Sequence, residues 1–158
     1  MILNMLTTVV TSSQQLAVNT LRITQWKANG LANHKPELHQ FLHDSNTDIL
    51  LVSETHFTDR TVFKLPGYST YHCNHPDGTA HGGVAILIRA TLQHNEAPLY
   101  RSNHIQAAIA HIHTCHWSVS VAAMYSPPRH RIDVPDYNTF LHHLGNNSLW
   151  AETETPST

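Results

Sequence analysis

Cysteine is scarce. Cys73 and Cys115 lie far apart among 158 residues and form no CxxC pair, which speaks against a disulfide framework and for a reducing setting inside the cell, cytoplasmic or nuclear, rather than secretion. An excess of one charge is also lacking. The net charge is −2 with histidine neutral, so no basic field marks a nucleic-acid partner, although a local patch stays open. The opening "MILNMLTTVVTSSQQLAVNT" has no basic n-region, and Asn4, Thr7 and Thr8 break up its apolar residues. Neither a signal peptide nor a membrane span is expected there. No internal repeat and no long linker interrupts the chain, whose length suits one domain.

Histidine, by contrast, is abundant, with fifteen in the chain. The densest cluster, "HIHTCH" at 111–116, mixes imidazole and thiol as zinc sites do, but no second ligand pair stands at zinc-finger spacing. Strand alternation accounts for the same residues: His111 and His113 share one face of "IQAAIAHIHT", and Thr114 to His116 form the turn that follows.

Apolar runs set the fold class. "LRITQWK" (21–27) reads as a strand, and "KPELHQFLHD" (35–44) as a helix with Pro36 and Glu37 in its first turn and Leu38, Phe41 and Leu42 on one face. "TDILLVSET" (47–55) has the near-continuous apolar character of a strand buried on both sides. Four more strands follow in "GYSTYHC", "GGVAILIRATL", "HIQAAIAHIHT" and "WSVSVAAMY". "DYNTFLHHLG" (136–145) is a second amphipathic helix stopped by Gly145. Two helices and about six strands predict an α/β sandwich type of fold. The strands carrying Ile49, Leu50, Leu51, Val84, Ile86, Ile109, Val119 and Val121 are expected in one sheet region beneath the first helix. Residues 1–20 read as a leader outside the fold and 146–158 as a tail without periodic pattern.

Glu54 is the first candidate for chemistry, because α/β sheets carry sites at the C-terminal ends of their strands; a surface glutamate at a strand end is the alternative. Gly82 and Gly83 precede a strand, where bare backbone either approaches a phosphate or makes a bend. Tyr125 places a hydroxyl at a strand end ahead of Pro127 and Pro128.

Taken in order, "LRITQWKANGL", "DILLVSETHF", "LPGYSTYH", "AHGGVAILI", "HIQAAIAHI" and "AAMYSPPRH" resemble the endonuclease domain of jockey-type non-LTR retrotransposons, within the endonuclease/exonuclease/phosphatase superfamily. The resemblance spans residues 21–145. It implies the N-terminal portion of a four-layer α/β/β/α sandwich, DNase I-like, with the C-terminal portion missing, and an Mg²⁺-dependent phosphodiesterase. In the intact family this domain nicks target DNA to prime a reverse transcriptase in the same polyprotein. By that resemblance Glu54 is the metal-binding glutamate and Tyr125 the donor to the scissile phosphate, while Asn29, Gly30 and His56 match loop positions near the site.

Lys27 departs from the family, which has asparagine after the tryptophan. An ammonium there is expected to pair with Glu54 and repel Mg²⁺; the alternative turns Lys27 outward and lets Asn29 substitute. The family's Gly-Asp-x-Asn and Ser-Asp-His motifs are also missing from the sequence. Back-translation of Ser148 to Thr158 permits a string that encodes Ile-Val-Gly-Gly-Asp one nucleotide earlier, which suggests a frameshifted tail. A partial sandwich is then expected to expose an apolar sheet face. The resulting expectation is a catalytically silent endonuclease fragment. A non-catalytic nucleic-acid- or protein-binding module stays open, and the "SETHF" and "YSPPRH" contexts argue against a small-molecule phosphatase.

Overall fold

The computed structural model describes residues 5–11, 20–127 and 131–153. Its strands are β1 (Met5–Thr11), β2 (Thr20–Lys27), β3 (Ile49–Ser53), β4 (Tyr68–Cys73), β5 (Val84–Arg89), β6 (Gln93–Glu96), β7 (Tyr100–Arg101), β8 (Gln106–His113), β9 (Ser118–Tyr125) and β10 (Ser148–Thr153). Helix α1 (Lys35–Ser45) joins β2 to β3, and α2 (Val134–Leu144) lies between β9 and β10.

The strands form two sheets. One has the order β1-β2-β3-β5-β4; the other runs β10-β9-β8-β6, with β7 also on β8. Each holds one parallel pair, β2 with β3 and β9 with β10. Parallel neighbours need a crossover, and a helix supplies it in both cases.

Apolar patterning decides the layers. In β3 all five residues are buried: Ile49 and Leu51 face the second sheet, Leu50 and Val52 face α1. Between the sheets, Leu21, Ile23, Ile86 and Ile88 meet Ala108, Ala110, Ile112, Val121 and Ala123. Helix α1 covers the first sheet with Leu38, Leu42 and the partly buried Phe41. Helix α2 covers the second with Phe140 and Leu144, which pack on Ala107, Ile109, Ala122 and Met124. The order of layers is α/β/β/α, as the resemblance implied.

Four expectations are corrected. Ile109, Val119 and Val121 lie in the second sheet, not beside Ile49 and Val84, because β8 pairs with β9 and β6 rather than with β5. The apolar sheet face expected to meet water is covered, since one chain supplies both inner faces. Met5–Thr11, placed outside the fold, pairs antiparallel with β2 along its whole length; without it β2 would be an edge strand. Ser148–Thr153, read as patternless, pairs in parallel with β9, and Leu149 and Ala151 pack against the inter-sheet core. Residues 1–4, 12–19 and 154–158, which complete those two segments, lie outside the described residues, as does Pro128.

Candidate functional site

The parallel strands bring several of the predicted residues to one end of the sandwich. β2 and β3 finish in register, Lys27 opposite Ser53, and β9 finishes at Tyr125 on the other sheet. The side chain of Gln25 ties the layers there: its Nε2 donates to the carbonyl of Glu152 on β10 at 3.0 Å.

Beyond β3 the backbone is strained. Glu54 (φ +53°) and His56 (φ +54°) both occupy the left-handed region, and so does Asn29 (φ +48°) in the loop after β2. Non-glycine residues avoid that region, at a cost of roughly 1–3 kcal/mol each, unless their surroundings hold them. Here backbone bonds grip the segment from two sides. Ala28, Gly30 and Leu31 donate to the carbonyls of Ser53, Glu54 and Thr55, while Thr55 and His56 donate to those of Gly83 and Gly82.

Within this frame Lys27 Nζ lies 3.0 Å from Glu54 Oε1. The glutamate side chain is 16% exposed and the lysine 40%. Of the two expectations for Lys27, the structure takes the pairing one; Asn29, left as the substitute, is exposed.

Tyr125 is nearly buried, and its ring lies against Gly82. A Cβ on Gly82 would stand 2.7 Å from the ring Cζ, and one on Gly83 would stand 2.7 Å from Thr55 Oγ1. These glycines therefore make room for a ring and a hydroxyl of this chain. Burial, and secondarily the charge of Glu54, raises the Tyr125 hydroxyl above its ordinary pKa, so it remains a protonated donor near neutral pH. His56 is half-buried, with Nδ1 3.7 Å from where a Cβ on Gly30 would be.

Two polar groups escaped the sequence reading. Ser53 Oγ and Gln106 Oε1 are buried without a hydrogen-bond partner among the described residues. Gln106 stands opposite Tyr125 in the β8–β9 register. The one available signal was a glutamine heading an otherwise apolar run.

The donors around Glu54 do not fit a divalent cation. An Mg²⁺ ion requires an octahedron of oxygen ligands, whereas an ammonium already sits on this carboxylate. No cluster of three or more His, Cys, Asp or Glu suited to a metal occurs among the described residues. In the "HIHTCH" segment, His111 contacts Ser120 Oγ on β9 at 3.0 Å, and His113 contacts Ser118 Oγ on β9 at 3.1 Å and Asn95 Oδ1 on β6 at 2.6 Å, so both imidazoles pair with neighbouring strands of the second sheet. No described helix is long and apolar enough to cross a membrane.

Known proteins resemble this chain in sequence and in fold. The profile of the endonuclease/exonuclease/phosphatase family matches residues 24–150. The RNA-directed DNA polymerase from mobile element jockey of Drosophila melanogaster is 39% identical over 130 residues, which is 82% of this chain and 14% of that protein. Among solved structures, the endonuclease domain of TRAS1, a telomere-specific non-LTR retrotransposon, superposes with a TM-score of 0.62 at 18% identity, covering 84% of this chain and 57% of that one. The AP endonuclease LMAP of Leishmania major gives 0.65 at 13% identity over 84% of this chain and 54% of its own. At such identities the two structures speak for the fold alone.

Proposed function

The chain belongs to the endonuclease/exonuclease/phosphatase family, and from that membership we propose that it derives from the DNA-nicking domain of a jockey-type retrotransposon polyprotein and does not itself cleave DNA. The observation that carries the reading is the ion pair between Lys27 Nζ and Glu54 Oε1 at 3.0 Å. Phosphodiester cleavage needs positive charge at the leaving oxygen, which Mg²⁺ held by the glutamate would supply in the family. Here the carboxylate and the ammonium satisfy each other. What remains is the hydroxyl of Tyr125, a single preorganised donor of the kind that stabilises developing charge but does not replace the cation.

The proposal extends to the tail. Ser148–Thr153 holds the place of a strand beside β9, where the family resemblance puts the Gly-Asp-x-Asn strand. A shift of reading frame near Asn147 would keep a strand at that position while replacing its acidic end. DNA as substrate, Mg²⁺ as cofactor and a reverse transcriptase encoded in the same polyprotein are attributes of the parent protein under this reading.

The test is incubation of the purified chain with supercoiled plasmid in Mg²⁺ and in Mn²⁺. The expected result is no conversion to the nicked circle. Nicking that Glu54→Ala abolishes would overturn the proposal.

A further inference from the structure

An open concavity lies on the outer side of the first sheet, apart from Glu54 and sharing no residue with it. A cavity of about 580 Å³ opens between the first residue of α1, the 63–66 segment and the edge strand β4. That volume falls within the roughly 300–1,000 Å³ typical of small-molecule sites.

The lining has two chemical characters. Lys35 and Lys64 bring two ammonium groups, both on exposed side chains, and no carboxylate is among the lining residues. Phe63, Leu65 and Pro66 bring apolar walls. Lys35 Nζ is 5.7 Å from the centroid of the Phe63 ring, which keeps a cation beside an aromatic face. Tyr68 is fixed by its hydroxyl, which donates to the carbonyl of Thr47 at 2.6 Å. Thr70 also lines the cavity, and its Oγ1 is buried without a hydrogen-bond partner among the described residues. Buried hydroxyls are rarely left unpaired in folded proteins.

An inorganic anion would satisfy the ammonium groups and leave the apolar walls wet. A neutral aromatic molecule would do the reverse. We propose that this cavity binds a nucleoside monophosphate group, free or as the terminal unit of a single strand, with its phosphate between Lys35 and Lys64 and its base against Phe63. The inference goes beyond the proposed function and does not depend on it, since the cavity does not involve Glu54.

The experiment is a titration of the full chain, followed by backbone amide shifts, with adenosine monophosphate, adenosine, inorganic phosphate and a 5′-phosphorylated thymidine dinucleotide. Saturable shifts around residues 63–70 are expected with the monophosphate, with adenosine and phosphate each roughly tenfold weaker or more. Lys35→Ala and Lys64→Ala should each weaken binding roughly tenfold by removing a charge-assisted contact, and Glu54→Gln should leave it unchanged. Comparing the dinucleotide with the free nucleotide tells which source the site prefers, and saturation by either supports the proposal. Inorganic phosphate binding as tightly as the nucleotide would overturn it. So would affinity that survives the Lys35→Ala/Lys64→Ala double substitution, or no saturation by either nucleotide up to roughly 10 mM.

Discussion

Lys27 and Glu54 meet because two parallel strands end side by side. Lys27 closes β2 opposite Ser53, and Glu54 is the next residue along. That neighbourhood was legible through the family resemblance, which sets the position of Lys27 beside the metal-binding glutamate. The reason for Gly82 was not. It depends on a ring from the other sheet, which no local pattern announces, so the sequence offered only a bend, the commoner reason for such glycines, or a phosphate cradle. The structure makes the dependence concrete: Gly82 has φ +49°, and any Cβ would run into Tyr125. Gly82→Ala is therefore expected to destabilise the protein by about 1–3 kcal/mol, through left-handed strain and displacement of the ring. Urea unfolding measures this directly, and an unchanged midpoint would show that Tyr125 is not held against the loop.

At the scale of elements, strands with continuous apolar runs were legible because burial on both faces leaves little else for them to be. Helix α2 was legible from Tyr137, Phe140, Leu141 and Leu144, although it begins at Val134, ahead of the expected start. Asp133 and Asp136 form a reciprocal capping box there, with Asp133 accepting from the Asp136 backbone and Asp136 accepting from that of Asp133. Asp133→Ala should cost about 1 kcal/mol, the usual worth of such a cap, seen as a lower urea midpoint at constant slope. β1 and β10 were not legible. β1 (MLTTVVT) sets threonine among apolar residues without alternation and β10 (SLWAET) mixes small, aromatic and acidic ones, and strand formation there follows from the partner each finds, β2 for one and β9 for the other. Tyr137 reinforces β10 from α2: its hydroxyl donates to Glu152 Oε2 at 2.6 Å.

Seen whole, the described residues form two sheets, each containing one strand-helix-strand unit, that face one another across a shared apolar layer with the C-terminal ends of the parallel strands on the same side. Open α/β sheets place ligands at such ends, and the strained residues Asn29, Glu54 and His56 gather there. Under the proposed function, the architecture keeps a site's framework while one side chain, Lys27, changes what that framework can hold. Partnership with Glu54 is worth little to stability at this exposure, about 0.2–1 kcal/mol for a pair near the surface. Its consequence lies in the charge it presents to a metal. A titration with Mn²⁺, followed by paramagnetic broadening of the resonances around Glu54, tests this most directly. The expected result is no saturable broadening in the protein as it stands and a saturable response in Lys27→Asn that Glu54→Gln removes. Saturable, Glu54-dependent broadening with Lys27 in place would contradict the account.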